Sequence, residues 1–134
     1  MTSIIVSALK TIIEGNFLVS VMVLVVVSIF CISPTHSYFD MNEELFGAMA
    51  NNLRLIMLYL GVTEVLICAY CFASKRTQLF IPVGFFLVLM IGSMKFYGVI
   101  NDVTIDENFQ GFFLYTGLSH IAFGALADLK NNKN

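Results

Sequence analysis

Residues 53–74 read LRLIMLYLGVTEVLICAYCFAS, a run whose only charged residues are Arg54 and Glu64. About 20 predominantly apolar residues in a helix, rising 1.5 Å each, cross the hydrocarbon core of a bilayer. The apolar residues do not alternate with a period of two, which disfavours the strand of a membrane barrel. Because a backbone in hydrocarbon must satisfy its own hydrogen bonds, the run predicts a transmembrane helix.

Three further runs of this kind lie at residues 17–33, 79–100 and 109–127. Of the 134 residues, 58% are hydrophobic and only 12% are charged, whereas a soluble domain carries ~25% charged residues. This composition cannot cover a water-facing surface, so the lipid bilayer is the predicted partner. The sequence therefore predicts an all-α integral membrane protein, a four-helix transmembrane bundle. We place its single domain at 17–127, with spans at about 17–33, 53–74, 79–100 and 109–127, and a short tail at 128–134.

Residues 1–16, MTSIIVSALKTIIEGN, form an amphipathic segment before the first span. Isoleucines and leucines recur at helical spacing, and Ser3, Ser7, Lys10 and Glu14 fall on the other side. Such a segment is either an interfacial amphipathic helix or the amphipathic start of a long first helix. We expect a break at Gly15-Asn16, which favours a separate or kinked N-terminal helix.

The basic residues of the loops predict the orientation. Lys75 and Arg76 lie in the short loop between the second and third runs, and Lys130 and Lys133 lie in the tail. The other two loops are acidic, with Asp40, Glu43, Glu44, Asp102, Asp106 and Glu107. The positive-inside rule then predicts a multi-pass protein of the cell (inner) membrane with both termini in the cytoplasm. The net charge of −2 gives no footprint for nucleic acid.

Each of the last three predicted helices has one stripe of small and polar residues. At 100° per residue these stripes are Arg54, Gly61, Glu64, Cys68 and Cys71; Gly84, Val88, Gly92 and Lys95, with Gly98 at the edge; and Thr116, Gly117, His120, Gly124 and Ala127. Small residues let membrane helices approach closely. We therefore expect the three stripes to face one another inside an antiparallel bundle.

The ionisable residues of the spans are the candidate site. Glu64 and His120 lie at similar depth near the middle of the membrane, Lys95 lies nearer the outer surface, and Arg54 lies close to it. Ionisable groups in a span are costly and usually find partners in the bundle interior. We predict that Glu64 pairs with His120 or Lys95. The four residues are interpreted either as a ligand- or ion-binding site or as a structural clasp that fixes helix register.

Cys68 and Cys71 form a Cys-x-x-Cys pair, CAYC, near the predicted cytoplasmic end of the second span. Quinone-linked membrane thiol oxidoreductases use such a pair, which needs an accessible thiolate and a resolving thiol. The alternative is that both are small buried hydrophobic residues. Cys31 lies at the opposite end of its helix, and the cytosol is reducing. His36 and His120 are the only histidines, too few to predict a metal site.

The chain also resembles a known group of small membrane proteins. The segments that carry this resemblance are Asn51-Asn52-Leu53-Arg54, Tyr59-Leu60-Gly61 and Ile91-Gly92-Ser93-Met94-Lys95, the last followed by an acidic loop. They resemble the DoxX-like four-helix proteins, in particular the bacterial domain-of-unknown-function family 4345. Lys95 stands roughly where that family has an arginine. The resemblance implies an integral membrane bundle and no established activity.

Three functions remain open from the sequence. The leading interpretation is a small non-catalytic membrane protein, namely a binding protein, an accessory factor or a subunit of a homo-oligomer or larger membrane complex. The alternatives are a thiol- or quinone-linked oxidoreductase that uses Cys68 and Cys71, and an oligomeric proton or ion conductor lined by Glu64, Lys95 and His120. No cofactor is predicted, although a lipid or a quinone remains open as a ligand.

Overall fold

Four long helices make up the fold. The computed structural model describes residues 2–32, 50–101 and 107–132, and among these the side chains of all but residues 50, 101 and 127–132. In chain order the helices are α1 (Thr2–Phe30), α2 (Ala50–Ala73), α3 (Phe80–Asn101) and α4 (Glu107–Asn132), with a short 3-10 helix (Thr77–Leu79) before α3. The described residues thus confirm the prediction of an all-α chain with four helices.

Helix α1 is continuous, and the break expected at Gly15-Asn16 is absent. The side chain of Asn16 donates a hydrogen bond to the carbonyl oxygen of Ile12 (2.9 Å), four residues earlier, so it supports the helix at this point. Thr11 donates in the same way to the carbonyl of Ser7 (3.0 Å). Residues 2–16 are therefore the start of a long first helix, and the alternative of a separate helix is wrong.

Within the described residues, three helical segments are long and apolar enough to cross a membrane: Thr2–Phe30, Asn51–Ala73 and Thr77–Ile100. Helix α4, which contains the fourth predicted span, is not among them. It has the length, since 26 residues at 1.5 Å each extend about 39 Å. Its polar residues include Thr116, Ser119 and His120, and these three side chains are buried in the bundle.

Helix α3 packs most extensively on α4, and α1 packs on both α2 and α4. Glycines allow the closest approach between α3 and α4: a side chain at Gly117 would lie 2.6 Å from Val88 and 2.8 Å from the carbonyl oxygen of Gly84. All four helices contribute to the main apolar core, which contains Leu24, Cys31, Leu53, Met57, Leu87, Met94, Phe109 and Phe113.

A tight turn joins α2 to α3. Lys75 adopts a left-handed backbone conformation with φ of 60°. The Arg76 N–H then donates to the carbonyl of Cys71 (2.9 Å), and the Ser74 N–H donates to that of Tyr70 (2.9 Å). This pattern is the Schellman end of a helix, which satisfies carbonyls that would otherwise have no partner. The basic loop of the sequence is therefore an ordered helix end.

Residues of α1 and α4 pack together at the same end of the bundle as this turn. The ring of Phe17 in α1 stacks on Phe123 in α4, with centroids 4.1 Å apart, and meets Phe80 at the start of α3 edge-on at 4.9 Å. Cys71 near the end of α2 belongs to the same cluster. Residues 2–16 of α1 continue beyond this cluster, and most of their side chains are exposed.

Large apolar side chains cover the outside of the bundle. Examples from all four helices are Leu18, Met22, Ile29, Tyr59, Leu66, Phe72, Phe86, Leu89, Phe96, Val99, Leu114 and Leu118. Water-soluble monomers rarely expose contiguous apolar patches of more than a few hundred Å². The surface of the described residues thus has the character of the lipid-facing surface that the composition predicts.

Candidate functional site

Glu64 of α2 and His120 of α4 form a buried pair. The Nε2 atom of His120 lies 2.6 Å from Oε1 of Glu64, and the two side chains are 0% and 3% exposed, respectively. Of the two predicted partners of Glu64, His120 and Lys95, the structure shows His120. Counting residues inward from the start of each helix placed the two residues level with each other, and because α2 and α4 run in the same direction through the bundle, they come into contact.

The second ring nitrogen of His120 fixes the proton count of the pair. Its Nδ1 atom lies 2.7 Å from the carbonyl oxygen of Thr116, which can only accept, so Nδ1 carries a hydrogen and donates it. One further proton then lies between Nε2 of His120 and Oε1 of Glu64, whichever atom carries it. With either placement the pair has no net charge, which lowers the cost of burying it.

Aromatic rings enclose the histidine. Phe17 and Phe80 meet the imidazole edge-on, with ring centroids at 5.0 Å and 5.7 Å. These contacts exclude water from the hydrogen bonds, and electrostatic attraction is stronger in such an apolar environment than in water. The pair thus lies at the junction of the main core with the cluster around Phe17.

Cys68 also belongs to this site, because its thiol donates to the same Oε1 atom of Glu64 (3.5 Å). The sequence placed Glu64 near the middle of the membrane and Cys68 near the cytoplasmic end of the span, yet the two side chains are in contact. The two residues are four positions apart on one helix, and this spacing puts them one above the other. A thiolate could not donate this hydrogen bond.

A close contact between α1 and α2 holds the glutamate in place. Ser28 donates to the carbonyl of Met57 (2.8 Å) and to that of Leu24 (2.7 Å). A side chain at Gly61 would collide with Ser28, so only glycine lets the two helices approach this closely. Gly61 is three residues before Glu64 and on the same face, which sets the depth at which the carboxylate enters the bundle.

Burial tests the predicted stripes. In α2, Arg54, Gly61, Glu64 and Cys71 are buried and Cys68 is half-buried, and in α4 Thr116, Gly117, His120 and Gly124 are buried. These two stripes are confirmed, apart from Ala127, whose side chain is outside the description. In α3 the prediction is wrong for Gly92 and Lys95, which are exposed. The inward face of α3 instead follows Phe80, Gly84, Leu87, Met94 and Gly98.

Lys95 is therefore not part of the buried site. Burying its ammonium group in the bundle would be costly, because the carboxylate of Glu64 already bonds His120 and the cation would lack a partner. Glu107 is described and exposed. The acidic residues at 40–44, 102 and 106, and His36, lie outside the described residues.

Arg54 is buried but performs a different task from Glu64. It donates from Nη1 to the carbonyl oxygen of Cys31 (2.9 Å), just after the end of α1, and from Nη2 to the side chain of Asn51 (3.0 Å). A cation at a helix C-terminus is favourable. Arg54 lies ten residues from Glu64, or about 15 Å along the helix. The four predicted site residues therefore form one buried pair and two separate positions.

Some contacts of the site had no signal in the sequence. Phe17, Phe80 and Ser28 are ordinary apolar or small residues, and only the helix packing selects them. Cys71 is buried at 1% exposure, and all three cysteines are free thiols. Among the described residues, no three His, Cys, Asp or Glu side chains lie close enough to hold one metal ion.

Comparison of the chain with protein-family models, with curated proteins and with solved structures finds no match. The resemblance to DoxX-like proteins, which rests on the segments around Arg54 and Lys95, thus stays a prediction. In the structure these two residues differ in role, since Arg54 is buried at the end of α1 and Lys95 is exposed.

Proposed function

We propose that the chain is a multi-pass membrane protein of the binding or accessory class that works as a subunit of a membrane assembly. One observation carries the proposal: five buried or half-buried polar side chains of α1, α2 and α4 find their hydrogen-bond partners inside the bundle, while the outer surface is apolar. Glu64, His120 and Cys68 form one such network, and Ser28 and Arg54 bond backbone carbonyls of neighbouring helices. The outer surface of the bundle is therefore suited to apolar contact with lipid or with other membrane helices.

In this proposal α4 is the fourth transmembrane span. Its polar residues face the interior, and its outward side carries Leu114 and Leu118, which suit lipid. The turn at Lys75 and Arg76 lies at the cytoplasmic surface by the positive-inside rule. Because the first and last helices meet this turn through Phe17 and Phe123, both termini are then cytoplasmic.

The Glu64–His120 pair acts in this proposal as the contact that fixes α2 against α4. A buried polar pair is worth little as net stability, but mismatching it is costly, so it selects one register of the two helices. The same geometry supports the thiol-redox alternative poorly, because Cys68 donates to a carboxylate and Cys71 is buried.

Two measurements test the proposal. Membranes that contain the protein are first extracted with alkaline carbonate, and the protein should remain in the pellet; release into the supernatant would contradict the membrane assignment. The protein is then purified under mild conditions from chemically cross-linked membranes, and the recovered proteins and lipids are quantified by mass spectrometry against a similarly expressed, unrelated four-span protein. We expect defined partners in stoichiometric amounts. Recovery of the same background as with the unrelated protein would rule out the accessory class.

The short contact between Glu64 and His120 supports a second candidate, proton or ion conduction by an oligomer. An acid and an imidazole in direct contact at membrane depth are the groups that proton relays use. The test is flux through proteoliposomes of the wild type and of Glu64→Gln. Absence of flux in the wild type would exclude conduction, and equal flux in both would exclude this pair as its path.

A further inference from the structure

Helix α1 carries an exposed heptad seam along its length. Ile5, Ile12, Val19 and Val26 recur every seven residues, and their side chains are 57%, 57%, 51% and 48% exposed. Between them, at the spacing of the second core position of a heptad, lie Ala8, Gly15, Met22 and Ile29, all exposed. A strict seven-residue apolar repeat is the pattern of a helix that supercoils with another helix.

Gly15 is the least expected residue of this seam. Glycine in the middle of a helix costs ~0.8–1 kcal/mol relative to alanine, and no contact with the described part of the chain requires it here. A side chain built on Gly15 meets nothing within 4 Å. Gly61, Gly117 and Gly124, by contrast, each face a neighbouring helix at close range. Gly15 thus leaves a notch on the open side of α1, of the kind that lets a second membrane helix approach.

We propose that a second copy of this chain occupies the seam, so that two α1 helices pair in parallel with Gly15 near their closest approach. β-branched residues at one core position favour two-stranded parallel coils, and all four residues of the Ile5 series are β-branched. The seam carries no charge, since Lys10 and Glu14 lie on other faces of α1. Two copies therefore meet without like-charge repulsion, and nothing in the seam selects a charged partner.

Polar complementarity fixes the register of the two copies. In a parallel coiled coil, the residue directly before the first core position of a heptad faces the other helix. Its partner there is the residue whose number is higher by five. Here that rule brings Thr11 of one copy opposite Asn16 of the other, on both sides of the seam. The Asn16 amide donates one hydrogen to Ile12, and its oxygen accepts from Tyr115 (2.7 Å). Its second N–H can then donate to the Thr11 hydroxyl oxygen of the partner copy.

The available area suits a dimer. With about half of each large seam side chain exposed, pairing would cover roughly 600 Å² per copy, or ~1,200 Å² in total, at the lower end of the range for specific interfaces. Flanking residues such as Leu9, Leu18 and Phe30, which are more than half exposed, would add to this area. The inference rests on the proposed membrane location, because insertion in one orientation is what makes two copies parallel.

The test compares Gly15→Leu with Gly92→Leu in lipid bilayers. Both glycines are exposed positions in helices, and a Cβ atom added at either one meets no described atom within 4 Å, so both variants should fold. We expect dimers for the wild type and for Gly92→Leu by subunit-exchange fluorescence transfer, and at least a 10-fold weaker dimer for Gly15→Leu. A monomeric wild type, or equal dimerisation of Gly15→Leu, would overturn the proposal.

Oxidative cross-linking checks the orientation independently. Ile12→Cys lies on the seam and should form a disulfide with its copy in native membranes, whereas Glu14→Cys, two residues away and off the seam, should not; the wild type reports any background from the native thiols. Equal cross-linking of both variants, or of neither, would also overturn it. Carbonate extraction of the same membranes separates the two claims: a protein that stays in the pellet but is monomeric contradicts the dimer and leaves the membrane assignment intact.

Discussion

Glu64 shows how much a single residue can determine in this chain. A carboxylate in an apolar helix needs a partner, and only a few residues of the sequence could supply one, so a pairing of Glu64 with either His120 or Lys95 could be predicted from depth. The choice of His120 over Lys95 could not, because it depends on which face α3 turns inward. That face is decided by the packing of Phe80, Leu87 and Met94, and no local pattern reveals it.

The pair should behave as a unit in stability measurements. Replacing Glu64 or His120 alone by leucine leaves the other polar group buried without its partner, which costs ~3–5 kcal/mol for buried ion pairs. The double variant Glu64→Leu/His120→Leu removes both groups, and we expect it to recover most of that loss. Unfolding of the four proteins in detergent, followed by circular dichroism against denaturant, gives the coupling energy. Additive losses would show that the two residues do not depend on each other.

At the level of elements, glycines decide which helices can touch. In α4, Gly117 lies against Val88 and Gly84 of α3, whereas Gly111 faces open space. The sequence predicted the inward stripe of α4 correctly because glycine, threonine and histidine at helical spacing rarely suit a lipid-facing surface. It failed for α3, where Gly92 has the same composition signal but no neighbour.

Gly111 and Gly117 of α4 give a matched pair of substitutions. Gly117→Ala forces α3 and α4 apart, and overpacking of this kind costs ~1–3 kcal/mol. Gly111→Ala only improves helix propensity and should stabilise the protein by up to ~1 kcal/mol. Thermal unfolding in one detergent should therefore shift in opposite directions for the two variants. A shift in the same direction would mean that the contact of Gly117 with α3 does not constrain the helices.

The turn after α2 permits a similar test. Lys75 holds a left-handed conformation that costs a residue with a side chain roughly 1–2 kcal/mol relative to glycine. Lys75→Gly should raise the free energy of unfolding by up to ~1 kcal/mol, measured as a higher unfolding midpoint. Lys75→Ala removes the same charge and keeps the strain, so it should bring no gain. Equal stabilisation by both would assign the effect to charge.

For the whole molecule, composition and run length predicted four helices, and the structure confirms them within its described residues. The predicted break between residues 1–16 and the first span was wrong. Gly15-Asn16 resembles a helix stop, yet no proline and no competing contact interrupts the backbone there. Which helix lies beside which was also beyond prediction, because similar apolar faces allow several arrangements. The contact of Phe17 with Phe123 and Phe80 shows the arrangement that forms.

The orientation of the molecule can be tested with reporters. We expect green fluorescent protein fused after Asn134 to fluoresce in bacterial cells, and alkaline phosphatase fused at the same position to be inactive, because both report a cytoplasmic end. A substitution of Lys75 and Arg76 by glutamine should increase the fraction of inverted molecules, since these residues supply much of the positive charge. Active phosphatase in the unmodified chain would contradict the assigned orientation.

The bond between Glu64 and His120 also has a consequence for the synthesis of the chain. The two residues are 56 positions apart, so at ~5–20 residues per second the ribosome adds the histidine roughly 3–11 seconds after the glutamate. Once α2 is complete at Ala73, and until His120 has been added, Glu64 has no buried partner on another helix. In a chain that ends before α4, Glu64 never gains His120 as its partner. This unpaired carboxyl group is a chemical difference by which cellular quality control could distinguish unfinished from finished copies.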